Sequence, residues 1–119
     1  MSDWEAVCPI EEIEHERGVT GLVHGQAVAI FRTHDDRVFA IGNHDPFSRS
    51  SVLGRGIVGT RGDRPFVASP VHRYGFDLAT GVCLDDEQVS VPAYDVRVED
   101  GVVQVGGRRW GPPQPNLSG

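Results

Sequence analysis

The side chains best suited to chemistry lie in two short loops, residues 43–47 (NHDPF) and residues 68–72 (ASPVH). His44, Asp45 and His72 together supply two imidazoles and one carboxylate, the ligand set of a mononuclear non-haem iron site. However, neighbouring residues of an extended segment point to opposite sides, so His44 and Asp45 are poorly placed to bind one ion. Asp45 also precedes a proline, where aspartate commonly accepts hydrogen bonds from the amides of a turn. The mononuclear metal site is therefore an alternative and not the main prediction.

The second loop also contains a hydroxyl and an imidazole three residues apart, at Ser69 and His72. A nucleophilic serine needs a base that is itself oriented by an acid, together with an oxyanion hole. The loop sequence offers neither, so we do not predict nucleophilic catalysis. His72 is most simply a loop histidine that forms hydrogen bonds.

The two loops resemble the paired loops of Rieske iron–sulfur domains, which hold a two-iron, two-sulfur cluster by Cys-x-His and Cys-x-x-His. When the prolines are aligned, the cysteine positions of that family fall at Asp45 and Ser69, and its histidine positions fall at Phe47 and His72. A carboxylate and a hydroxyl are poor substitutes for soft thiolates, and Phe47 has no lone pair. The resemblance therefore implies four vestigial cluster positions on a retained scaffold, with no cofactor, no metal and no catalytic residue in this chain.

The remainder of the sequence predicts an all-β fold, because fifteen glycines and eight prolines separate many short β-rich segments. His24-Gly25-Gln26 and Asp100-Gly101 are hairpin turn signals, and Pro92 predicts an edge strand or a bulge. The predicted strands are Trp4–Val7, Val19–Val23, Ala27–Arg32, Arg37–Ile41, Ile57–Gly59, Val89–Glu99 and Val102–Val105, and Phe66–Ala68 leads into the second loop. The resemblance specifies this as a Rieske-like antiparallel β-sandwich or barrel. We expect one domain over residues 1–110 and a disordered proline-rich tail over residues 111–119.

Composition limits the classes of partner and compartment. A net charge of −6 and a pI near 5.2 argue against a nucleic-acid-binding surface, which needs a basic stripe. No run of about 18 apolar residues could span a membrane, and the first residues lack the basic and apolar parts of an export signal. We therefore predict a cytoplasmic protein in which Cys8 and Cys83 are reduced thiols.

Four segments resemble the small subunit of assimilatory NAD(P)H-dependent nitrite reductase: residues 43–48, 55–59, 68–70 and 83–86. In that family the large subunit carries FAD, an iron–sulfur cluster and siroheme, and it reduces nitrite to ammonium. The resemblance implies that this chain is a non-catalytic accessory subunit that docks on such a large subunit. Because one scaffold can serve many functions, a Rieske-like module of another oxygenase or reductase is the alternative.

The resemblance also suggests where docking occurs, since the two loops of Rieske domains form an exposed tip. We expect Phe47, Val71 and Tyr74 to form an apolar centre, which is the usual arrangement of a protein–protein interface when polar residues surround it. The surrounding residues would be Arg49, Arg55 and Arg73. The competing expectation is that the aromatic side chains simply fill the space left by the cluster, since cavities are costly.

Overall fold

The computed structural model of the chain describes residues 4–110. This part of the chain contains eleven strands, two short 3-10 helices and no α-helix, which confirms the all-β prediction. The strands are Glu5–Pro9 (β1), Arg17–Val23 (β2), Gln26–Arg32 (β3), Val38–Gly42 (β4), His44–Asp45 (β5), Ser50–Ser51 (β6), Ile57–Arg61 (β7), Arg64–Ala68 (β8), Gly75–Asp77 (β9), Ala93–Glu99 (β10) and Val102–Trp110 (β11). The 3-10 helices are Ile10–Glu12 and Leu53–Arg55.

Six strands form one antiparallel sheet in the order β1-β11-β10-β4-β3-β2. Two of its hairpins turn at the predicted positions, where His24 and Gly25 have φ angles of 50° and 78° and Asp100 and Gly101 have 52° and 78°. Positive φ at both central residues matches the right-handed twist of the flanking strands. The two edge strands come together, because a Cβ placed on Gly21 in β2 would lie 3.0 Å from a methyl carbon of Val7 in β1. The sheet is therefore a nearly closed barrel.

Strand β3 separates two apolar cores. Val28 and Ile30 belong to the core inside the barrel, whereas Ala29 and Phe31 belong to the core beneath the two loops. Successive residues of a strand point to opposite faces, so a strand between two cores is apolar at consecutive positions. This explains why residues 28–31 are all fully buried.

The two loops are carried by smaller β structures that cover the second core. β5 and β6 form a two-stranded ladder, and β7, β8 and β9 form a three-stranded antiparallel sheet. The second 3-10 helix packs tightly on β2, since a Cβ on Gly54 would lie 2.5 Å from Thr20 Cγ2. Asn43 fixes the same helix by accepting a 2.7 Å hydrogen bond from the Gly54 amide. The start of the first loop is thereby anchored to the barrel.

The prediction around Pro92 was partly wrong. The strand predicted from Val89 begins only at Ala93, and β10 lies between β11 and β4, so it is not an edge strand. Pro92 has no amide to donate, and its carbonyl instead accepts a 2.9 Å hydrogen bond from Gly42. The bulge alternative agrees with the register, which shifts between Ala93 and Tyr94 and again before Val96.

β11 extends through Trp110, beyond the predicted end at Val105. The predicted disordered tail, residues 111–119, lies outside the described residues. Across residues 4–110 no helix has the length and apolar character needed to cross a membrane.

Candidate functional site

The two loops meet through Asp45 and Ser69. The Ser69 hydroxyl donates a hydrogen bond of 2.5 Å to Asp45 Oδ2, and both residues are almost completely buried. Asp45 Oδ1 accepts hydrogen bonds from the amides of Phe47 at 2.9 Å and Ser48 at 3.5 Å. A buried carboxylate is tolerated when such donors replace its hydration. The pair therefore joins the two loops directly.

The loops at residues 45–49 and 69–73 have the same backbone arrangement. In each, the carbonyl of the first residue accepts a hydrogen bond from the amide of the fifth, at 2.8 Å from Arg49 and 2.9 Å from Arg73. The side chain of the first residue also accepts a bond from the third amide, at 2.9 Å in the first loop and 3.3 Å in the second. Both arginines have a left-handed backbone, with φ angles of 58° and 61°.

This repeat has a sequence signal that the proline alignment alone did not use. Residues 45–49 read DPFSR and residues 69–73 read SPVHR, so both have a short oxygen-bearing side chain first, proline second and arginine fifth. Such side chains accept bonds from nearby amides in turns. The repeated pattern as a whole could have predicted that the two loops share one turn conformation.

The apolar side chains of the two loops differ in how far they are buried in the core. The ring of Phe47 stacks on Tyr74 with centroids 4.3 Å apart and lies 6.1 Å from the buried ring of Phe76. Phe47 is half-buried against the core, whereas Tyr74 is 37% and Val71 49% exposed. Phe47 therefore fills space beneath the loops, which is the competing expectation. Tyr74 and Val71 instead have the exposure that a docking surface needs.

The structure adds one apolar residue that the sequence did not single out. Ile57 is 76% exposed at the start of β7 and pairs with Ala68, the residue before the second loop. Its neighbour Val58 is buried, so the alternation along β7 places Ile57 on the outer face. The predicted surrounding residues Arg49, Arg55 and Arg73 are all exposed.

The residues at the four positions that the proline alignment assigns to cluster ligands do not fit an iron–sulfur cluster. The oxygens of Asp45 and Ser69 bond to each other and to loop amides, and the ring of Phe47 has no donor atom. His72 is exposed, with its ring 6.3 Å from that of Tyr74. Within residues 4–110, no three side chains of His, Cys, Asp or Glu are grouped to hold a metal ion, so the alternative set of His44, Asp45 and His72 has no geometric support.

The two cysteines lie outside this site. Cys8 and Cys83 are free thiols, as predicted. Burial, assisted by the charge of Glu12, raises the pKa of Cys8, and burial also raises the pKa of Cys83. Both thiols are therefore less prone to ionise than an exposed cysteine, and the thiolate is the form that binds metals.

A nearly closed β-barrel with two matched loops, one on a two-stranded ladder and one on a three-stranded sheet, defines the class as a Rieske-like domain. Residues 3–106 match the family model of the Rieske-like [2Fe-2S] domain. The solution structure of the Escherichia coli protein NirD superimposes with a TM-score of 0.82 at 49% identity, covering 90% of this chain and 98% of that one.

The chain belongs to the nitrite reductase small subunit family. It is 49% identical over 108 residues to the nitrite reductase (NADH) small subunit of E. coli K12, covering 90% of this chain and all of the relative. It is also 34% identical over 106 residues to part of the nitrite reductase [NAD(P)H] large subunit of Klebsiella oxytoca. That match covers 89% of this chain but 11% of the large subunit.

Proposed function

We propose that this chain is the non-catalytic accessory subunit of a cytoplasmic NAD(P)H-dependent nitrite reductase, acting in nitrate assimilation. Its partner is the large subunit, which carries siroheme, an iron–sulfur cluster and FAD and reduces nitrite to ammonium. The accessory subunit docks on that partner and needs no nucleic acid or membrane. Its acidic net charge of −6 is unfavourable for binding phosphates.

The observation that carries this proposal is the relationship to the K. oxytoca large subunit. There, a segment resembling this chain is about a tenth of the nitrite reductase polypeptide. Covalent linkage keeps two domains at high effective concentration, which is useful when they must remain in contact. A separate chain of the same family would achieve that contact by docking.

The loop geometry supports an accessory role and not electron transfer. The positions that would hold a cluster are occupied by the Asp45–Ser69 pair and by the Phe47 ring, none of which fits one. The chain then acts through its surface, by stabilising one conformation or assembly of the large subunit. Such an effect is limited by the difference in its affinity for the competing states.

We place the docking surface at the tip formed by the two loops. Tyr74, Val71 and Ile57 supply exposed apolar area, and Phe47 supports Tyr74 from beneath. The three arginines that we assign to its edge are exposed, and an apolar centre with a charged edge is common in interfaces. These residues are Arg49, Arg55 and Arg73.

Reconstitution tests the function directly. The purified large subunit is assayed for NAD(P)H oxidation and ammonium formation with and without this chain, and its inactivation half-life is followed. We expect no nitrite reduction by this chain alone, and a higher rate or longer half-life for the mixture. Equal rate, nitrite KM and half-life in both preparations would reject the accessory role.

A further inference from the structure

The left-handed arginines at the ends of the two loops are not explained by the loop backbone. Arg49 and Arg73 have φ angles of 58° and 61°, a region that glycine adopts freely and that arginine rarely adopts. Only their amides are needed to close the loops, through the bonds to Asp45 and Ser69. Glycine would supply the same amide with less strain, so the presence of arginine at both positions points to a use for the side chains.

The charge pairing of the other arginines supports this reading. Seven of the eleven arginines lie within 4.0 Å of a carboxylate. Among residues 4–110, Arg49, Arg55 and Arg73 have no such carboxylate, although the chain has 17 acidic residues. The fourth arginine without one, Arg108, lies on β11 and outside the loops.

The tip is also the basic part of an acidic chain. Residues 46–75 contain five arginines and one aspartate, whereas the whole chain has a net charge of −6. All three unpaired arginines of this segment are exposed. A positive surface of this kind attracts a negative one and orients it during association.

We infer that Arg49 and Arg73 are a matched pair of carboxylate receptors, which bind two acidic side chains on the surface of the nitrite reductase large subunit. The inference rests on the proposed function and specifies the chemistry of the partner surface. The guanidinium fork pairs with a carboxylate through two parallel hydrogen bonds. Because the two loops have the same backbone hydrogen bonds and φ angles, the two arginines occupy equivalent positions, and Arg55 adds to the positive field.

Glycine variants separate binding from loop structure. Arg49→Gly, Arg73→Gly and the double variant keep the loop amides and accept the left-handed backbone. We therefore expect thermal midpoints equal to or above that of the wild type. The Kd for the purified large subunit should rise about tenfold for each single variant and further for the double variant. Arg49→Lys and Arg73→Lys retain charge without the fork and should have intermediate values.

Arg17→Ala is the matched control. Arg17 is exposed and lies opposite Arg32, at the end of β3. The first loop follows Gly42, which lies opposite Val28 near the start of β3. Arg17 is therefore at the other end of β3 from this loop. The control variant should bind like the wild type. Added salt should weaken binding of the wild type to the large subunit more than binding of the double glycine variant, because salt screens exposed charges.

The outcomes distinguish this inference from the proposed function. If the wild type binds the large subunit and the double glycine variant binds equally well, the receptor inference fails and the accessory role stands. If the wild type does not bind, both fail. Lower midpoints in the glycine variants would assign the arginines to the loop structure instead. Chemical shift changes of the Arg49 and Arg73 amides on addition of nitrite or phosphate alone would make them receptors for free anions, and would also overturn the inference.

Discussion

Asp45 and Ser69 are 24 positions apart in the chain and joined by one buried hydrogen bond of 2.5 Å. The proline alignment assigns them to the two positions that bind the cluster through cysteine in the Rieske family. In a Rieske domain the metal ties the two loops together, whereas here a carboxylate and a hydroxyl do so directly. The two loops are therefore joined by side chains of the chain itself, and burying the carboxyl group is tolerated because hydrogen-bond donors replace its hydration.

A double-mutant cycle should measure this loop connection. Ser69→Ala removes the donor to a buried carboxylate and should lower the free energy of unfolding by about 2 kcal/mol. In an Asp45→Asn background the same change should cost less, because no buried charge loses its partner. Denaturant unfolding measures both, with Ser51→Ala, an exposed serine of β6, as the control. Equal costs of Ser69→Ala in both backgrounds would contradict the proposed charge–hydroxyl pairing.

The apolar centre of the tip should govern binding to the large subunit. Ile57→Ala removes a side chain that is 76% exposed, so the thermal midpoint should stay near that of the wild type. If Ile57 enters the interface, Kd should rise about tenfold. Leu22→Ala is the control, because Leu22 is 73% exposed on β2 outside the tip. Equal affinities for the wild type and the Ile57 variant would move the interface away from this edge.

Tyr74→Ala and Arg55→Glu test the rest of the predicted surface. Tyr74→Ala should weaken binding and also lower stability slightly, since its stack on Phe47 is lost and such pairs contribute about 1 kcal/mol. Arg55→Glu reverses an exposed charge and should slow association more than it speeds dissociation. Surface plasmon resonance separates the two rates. Unchanged kinetics for both variants would remove these residues from the docking surface.

The isolated chain should bind no stoichiometric iron. Asp45 and Ser69 offer hard oxygen donors that already bond to each other, whereas iron–sulfur clusters require thiolates with, at most, partial replacement by histidine. Metal analysis and a visible absorption spectrum of the purified protein are the measurement. About one or two irons per chain, with charge-transfer bands, would show that the chain does hold an iron centre.

The turn between β3 and β4 should contribute to stability in a pH-dependent way. The hydroxyl of Thr33, followed by the guanidinium of Arg37, lowers the pKa of Asp35 from 3.8 to about 2. Since the folded pKa lies below the unfolded value, this contribution is complete above about pH 3.8 and is lost as the pH falls to about 2. Thr33→Val should raise the pKa toward 3.8, as measured by NMR titration of the carboxyl carbon. Thr20→Val, an exposed position on β2, should leave it unchanged.

The local features of this protein could be read from its sequence. The hairpins at His24-Gly25 and Asp100-Gly101 form where expected, because the two central residues alone decide which φ angles are accessible. The period of apolar residues likewise predicted most strands of the barrel. Aligning the prolines placed Asp45 and Ser69 at equivalent positions in the two loops, since that comparison needs only the order of residues.

The tertiary structure decided what depends on distant neighbours. β10 begins after Pro92, whose carbonyl accepts a hydrogen bond from the amide of Gly42, fifty positions earlier. The bond between Asp45 and Ser69 follows from folding two separate loops onto one core. Whether an apolar side chain packs against the core, as Phe47 does, or is exposed, as Ile57 is, also depends on what the rest of the chain packs against it. Burial and long-range hydrogen bonds are properties of the assembled fold, so no local pattern could have specified them.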